Sequence, residues 1–138
     1  MYLLDTNILS ELMRPQPNRG VVNWLDNQFT NELYISTITI AEIHLGIALL
    51  PEGKRKKTLL LAGEFTLKSF KSKRLDFTEK TALTYANLVA KRRRLGRPIS
   101  SEDAQIAAIS LSNNAVLVTR NVNDFDLIDG LEILNPFS

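Results

Sequence analysis

The sequence predicts an α/β domain built on an open parallel sheet. Short apolar, β-branched runs alternate along the chain with longer stretches whose apolar residues fall at helical spacing. The intervening stretches are long enough to act as the crossovers that parallel strands require. Acidic residues recur just past or near the ends of the strand-like runs, where ligands gather in such sheets.

Taken in order, Tyr2 to Leu4 reads as a short buried strand, followed by a helix through Ile8, Leu9 and Leu12 that Pro15 and Pro17 end. Val21 to Gln28 reads as a second short helix. Leu33 to Ser36 has strand character, and Ile40 to Leu50 returns to helical spacing. After Pro51 and Gly53 comes a long amphipathic stretch, with Leu59, Leu60, Phe65 and Leu67 forming its apolar side. Leu75 to Phe77 is a short strand. Thr78 caps a helix running to about Leu95, with Ala82, Tyr85, Leu88 and Val89 inward and Gly96 as its stop. Ser101 to Leu111 is a helix, Ala115 to Thr119 the clearest strand, and Leu131 to Leu134 a short last one.

With 138 residues, 44% of them hydrophobic, the chain is sized for one domain over residues 1–138 with its own core. It has no Cys, which excludes a disulfide framework and a thiolate metal site. Its apolar runs fall short of the roughly 20 residues that span a bilayer, and no basic export start is present. The expectation is a cytoplasmic protein with no membrane partner.

The net charge of +2 conceals a segregation. Between Lys54 and Arg97 stand fourteen Lys and Arg against Glu64, Asp76 and Glu79, a net +11, while the rest of the chain carries −9. A single basic run is usually a solvated helix face. Three runs in one half of the chain point to a polyanion, because phosphate contacts supply most sequence-independent affinity for nucleic acid.

Asp5, Glu42, Asp103 and Asp124 are the candidate site acids. Three of them have a capping reading: Asp5 as a helix cap, and Thr39 to Glu42 and Ser100 to Asp103 as capping boxes. Capping does not explain why acids follow three separate strand-like runs with Thr6, Asn7, Ser36 and Thr119 at the same level. Carboxylates brought together oppose each other's ionisation unless a cation or shared proton relieves them. Oxygen donors suit Mg2+ or Mn2+, whereas zinc favours Cys or several His. The one His, His44, lies roughly 200° round a helix from Glu42 and reads as structural.

Leu3-Leu4-Asp5-Thr6-Asn7, Ser36, Ala41-Glu42, Leu45-Gly46, Asp103 with Ile106 to Ala108, and Val118 to Asn121 before Asp124-Phe125 resemble PIN-domain ribonucleases of the VapC toxin type. The resemblance spans nearly the whole chain. It is strongest to the FitB-like branch, through Arg14 to Asn18, Val21 to Asp26 and Ala41 to Gly53. It implies a PIN-like three-layer α/β/α domain with a central parallel sheet and Mg2+- or Mn2+-dependent RNA cleavage.

Residue by residue, the resemblance puts the metal-site acids at Asp5, Glu42 and Asp103. The fourth position is Asn121, where related chains often have Asp, or Asp124 three residues later. Asp5 and Asp103 would hold the ion, Glu42 would orient or deprotonate its water, and Asn121 or Asp124 would hold a second ion or its hydration shell. Structured RNA such as tRNA is the implied substrate. The implied partner is a VapB/FitA-like antitoxin, whose tail wraps an apolar groove near the first helices and through which the complex binds operator DNA. Ile8, Leu9, Leu12, Val22 and Trp24 line that groove or are ordinary core. A homodimer is implied as well. Two other readings stay open: a phosphotransfer domain using Asp5 as nucleophile, which lacks the second acid of Asp-x-Asp, and a nucleic-acid-binding module without catalysis.

Overall fold

The computed structural model describes residues 1–138. Its strands are β1 Tyr2–Leu4, β2 Leu33–Ser36, β3 Arg74–Leu75, β4 Val116–Val118 and β5 Ile133–Leu134. Its α-helices are α1 Thr6–Leu12, α2 Arg19–Asp26, α3 Thr37–Ala48, α4 Lys54–Lys68, α5 Glu79–Arg94 and α6 Ser101–Ser112, with single 3-10 turns at Thr30–Glu32 and Val122–Phe125. All pairings are parallel and the strand order is β3-β2-β1-β4-β5.

Successive residues of a strand face opposite sides, and the chain uses this to build two cores. Leu3 and Leu117, adjacent in register, face a core completed by Leu88 of α5 and Ala104, Ile106, Ala107 and Ile109 of α6. Leu4 and Val118, adjacent in turn, join Ile35, Ile8, Leu9, Val21, Ile43, Ile47 and Leu67 on the other face. Complete burial of a Leu, Ile or Val side chain stabilises by about 1.5–3 kcal/mol. Because the central strands are covered on both faces, they read as continuous apolar runs rather than alternating ones.

Strand order reverses between β1 and β4. Strands β2 and β3 build outward on one side and β5 on the other, so helices diverge here and leave a crevice beyond the carboxyl ends. The ladder runs past the strands into it: Asp5 N–H donates to Val118 O at 2.9 Å and Thr119 N–H to Leu134 O at 2.9 Å. Rigid pairing therefore places Asp5 and Thr119 side by side.

Several element boundaries depart from expectation. Helix α2 begins at Arg19, capped by Asn18, and α3 begins at Thr37, capped by Ser36. Thr39 thus lies inside the first turn and forms no capping box with Glu42. Strand β3 is Arg74–Leu75, one residue earlier than expected, because Ile35 N–H bonds to Lys73 O and sets the register. On α4 the buried side is Gly63, Thr66 and Leu67, while Leu60 and Phe65 face outward. On α5 the inward row is Thr81, Leu88 and Arg92, and Ala82 is exposed. Gly96, at φ +71°, ends α5 in a left-handed conformation that glycine adopts without cost.

Candidate active site

Asp5, Glu42, Asp103 and Asn121 border one open cleft of about 430 Å³ at the β1/β4 crevice. They come from the end of β1, the second turn of α3, the first turn of α6 and the segment after β4. Asp124 borders a neighbouring polar cleft that it shares with Asn121, close enough to raise the Asp103 carboxyl. His44 is exposed and lies outside the cleft.

Asp5 is nearly fully buried, and both of its carboxylate oxygens accept hydrogen bonds. Oδ1 accepts from Thr6 N–H at 2.8 Å, which makes Asp5 the cap of α1. Oδ2 accepts from Thr119 Oγ1 at 2.8 Å and Asn7 Nδ2 at 3.1 Å. Thr119 Oγ1 accepts in turn from Asn121 N–H at 3.1 Å, so the hydroxyl that orients Asp5 also fixes Asn121. The capping role and a place in the cleft coexist in the same carboxylate.

Glu42 is oriented by a chain of hydroxyls. Thr6 Oγ1 lies 2.6 Å from Glu42 Oε1, Thr39 Oγ1 lies 2.9 Å from Thr6 Oγ1, and Ser36 Oγ lies 3.4 Å from Thr39 Oγ1. An ionised carboxylate only accepts and each hydroxyl has one proton. With Glu42 ionised, Thr6 must donate to it, Thr39 to Thr6, and Ser36 to Thr39. Ser36 and Thr39 are completely buried, so no water competes for these bonds. Ser36 also accepts from Thr39 N–H at 3.1 Å, which ties the chain to the start of α3.

Burial, above all, pushes the Asp5 carboxyl up to about 6; Thr119 and Thr6 oppose the shift, while Asp103 and Glu42 add to it. Burial likewise raises Glu42, with Asp103 and Glu102 adding repulsion, and raises Asp103, with Asp124 and Glu102 adding to it. The acids thus form an electrostatic unit that a cation would relieve. No three His, Asp or Glu side chains close into a ready ligand set. The carboxylate oxygens themselves suit a hard ion such as Mg2+, which binds through one or two carboxylates and keeps several waters. No Cys or His lines the cleft, which disfavours zinc.

Of the residues read as groove or core, two resolve clearly as core. Ile8 and Leu9 are fully buried core, and Trp24 packs edge-on to Tyr2 with ring centroids 5.0 Å apart. An apolar groove of about 850 Å³ instead runs between α1, α3 and α4, walled by Met13, Ile43, Ile47, Leu50 and Leu59. It shares Thr6, Ser10, Arg14 and Glu42 with the acidic cleft, so the two openings are continuous.

Arg92 escaped the sequence reading. One of four consecutive basic residues, it is buried, and its Nη1 donates to Asp124 O at 3.2 Å and Asp126 O at 2.7 Å while Nε donates to Arg97 O at 2.5 Å. It holds the 3-10 turn that carries Asp124. Period alone would have found it, since Thr81, Tyr85, Leu88 and Arg92 fall on one helical stripe.

A parallel doubly wound sheet with clustered carboxylates at its switch point defines a class of acid-lined α/β domain. The PIN domain family model matches residues 2–131, and the chain belongs to that family, within its group of VapC/FitB-type toxin ribonucleases. It is 37% identical to the VapC ribonuclease Y4jK of Sinorhizobium fredii, covering 99% of this chain and 98% of that one. It is 39% identical to the toxin FitB of Neisseria gonorrhoeae, covering 99% of each. The solved structure of FitAB bound to an IR36 DNA fragment is similar with a TM-score of 0.89 and 39% identity, covering 100% of this chain and 96% of that one. PIN-domain nucleases are generally metal-dependent.

Proposed function

We propose that this chain is the toxin of a toxin-antitoxin pair and acts in the cytoplasm as an endoribonuclease that uses Mg2+ or Mn2+ to hydrolyse structured RNA such as tRNA. The observation that supports it best is the meeting of Asp5, Glu42, Asp103 and Asn121, from four separate segments, in one open cleft.

Asp5 and Asp103 are the direct metal ligands in this reading, with Glu42, Asn121 and Asp124 completing the surroundings. When bound, the ion supplies an activated water at neutral pH and neutralises charge developing on the phosphate. Glu42 would be placed to orient such a water and accept its proton, a role suited to a carboxylate raised by burial and held in one direction by Thr6. Thr119 fixes Asp5 and Asn121 together. Lys54 and Arg55, which line the groove continuous with the cleft, and exposed Arg93 and Arg94 on α5 provide phosphate contacts.

The groove beside the cleft is the docking site for an antitoxin tail of the VapB/FitA kind. Its apolar walls suit an amphipathic segment, and its continuity with the acids lets a basic residue of that segment reach them. Operator DNA is bound through the antitoxin. Exposed Leu49, Leu61, Phe65 and Leu83 on α3 to α5 support a homodimer.

The test is cleavage of a total tRNA pool by purified protein with Mg2+ or Mn2+, against EDTA and the Asp5→Asn and Asp103→Asn variants. Discrete fragments lost in all three controls are expected. Cleavage surviving both substitutions overturns the site assignment, and intact RNA under every condition overturns the tRNA reading.

A further inference from the structure

Arg120 stands at the mouth of the acidic cleft without joining it. Its guanidinium carbon lies 4.7 Å over the Phe137 ring, and it has no ion pair with any carboxylate. Its backbone N–H donates to Asn7 Oδ1 at 3.1 Å, and the amide of Asn7 holds Asp5. The main chain of Arg120 is therefore tied to the acids, while its side chain rests on an aromatic face. Arg120 and Asn121 are the residues that border both the acidic cleft and the adjoining polar cleft of about 450 Å³, which Asn123 and Asn135 also line.

Phe137 is held from the far side. Ser138 N–H and its hydroxyl donate to Asn18 Oδ1 at 3.1 and 3.3 Å, Asn18 Nδ2 donates to the Ser138 backbone oxygen at 3.3 Å, and Gly20 N–H donates to Ser138 Oγ at 3.2 Å. This seat fits glycine at position 20: a Cβ there would lie 2.5 Å from Pro136 O and 2.6 Å from Ser138 N, both backbone atoms, so any side chain would push the segment carrying Phe137 out of place. The start of α2 thus clamps the segment that puts Phe137 under Arg120.

An unpaired guanidinium among carboxylates would ordinarily fold onto one of them and compete with a cation. Stacking on Phe137 prevents that and keeps its planar fork of donors free, a shape that matches phosphate. We propose that Arg120 grips the RNA phosphate next to the scissile one and that Phe137 positions it, directing the strand from the acids across Asn121 into the polar cleft. This rests on the ribonuclease reading above.

The test separates binding from chemistry. Metal-free protein in EDTA is titrated with a short fluorescein-labelled single-stranded RNA at increasing KCl, and cleavage of the same RNA and of a tRNA pool is followed with Mn2+. Arg120→Ala is expected to weaken RNA binding about tenfold and to flatten the log-log salt slope by about 0.7, the signature of one lost phosphate contact. In cleavage, KM rises more than kcat falls. Phe137→Ala and Gly20→Ala weaken binding in the same direction, whereas Phe137→Trp keeps it, and melting curves verify folding. Wild-type affinity and salt slope in Arg120→Ala overturn the proposal, as does unchanged binding in both folded Phe137→Ala and Gly20→Ala. Wild-type protein that binds RNA but never cleaves it with metal would instead overturn the ribonuclease reading.

Discussion

Thr6 Oγ1 donates to Glu42 Oε1 at 2.6 Å, joining the first residue of α1 to the second turn of α3. The bond is the last link of a hydroxyl series that begins at the buried cap of α3. Thr6→Val removes the only donor to Glu42 while keeping the side-chain shape. Loss of a group that orients a metal-site ligand typically costs 10–100-fold. We expect kcat for RNA cleavage to fall by about that much and Thr6→Ser to recover most of it. Full activity in Thr6→Val would remove the orienting role.

The buried Asp5 carboxyl has its own pH signature. Its folded value of about 6 lies above the ordinary 3.8, so the folded protein holds this proton more tightly than the unfolded chain. Stability contributed by the protonated form is complete below about pH 4, is lost as pH rises toward 6, and changes no further above that. The full span is worth roughly 3 kcal/mol. In EDTA, melting curves should show Asp5→Asn gaining on wild type by about that amount between pH 4 and pH 7. A difference that stays constant across this range would contradict the burial of an ionisable Asp5.

Adjacent arginines on α5 should behave oppositely. Arg92→Ala leaves three carbonyl oxygens, of Arg97, Asp124 and Asp126, without their donor, and we expect a loss of about 2–4 kcal/mol in denaturant unfolding. Arg93 is exposed, and Arg93→Ala should stay within about 0.5 kcal/mol. Equal effects of the two substitutions would contradict the inward placement of Arg92.

Gly46 lines the apolar groove, and a Cβ built there meets nothing within 4 Å. Gly46→Ala should therefore raise the melting temperature, since alanine favours a helix interior by up to about 1 kcal/mol over glycine. Gly46→Phe should fill the groove and abolish complex formation with the antitoxin on size-exclusion chromatography. A complex that forms normally would move the docking site elsewhere.

The parts of the fold legible in the sequence are those fixed by burial on two faces. Leu3-Leu4 and Leu117-Val118 are continuous apolar pairs because β1 and β4 are covered by helices on both sides, and the acids beyond them follow from parallel geometry. Strand β3 is two residues long and owes its position to pairing with Ile35 and Ser36, which no local pattern records. Ser36 and Thr39 present the same cap chemistry three residues apart, and only the tertiary fold selects Ser36. The stacking of Arg120 on Phe137 joins residues with no sequence relation, through a seat built at Asn18 and Gly20.

The pairing of β1 with β4 also orders events in time. Asp5 acquires its partner Thr119 only after 114 further residues have been made; Asp103 comes shortly before that and Asn121 just after it. A chain emerging from the ribosome therefore carries its first acid early but holds no assembled centre until β4 and the residues just after it have been made. Topology thus separates the two openings in time: the groove walls, Met13 to Leu59, are all made long before β4 brings Thr119 and Asn121 to Asp5, so the chemistry comes last.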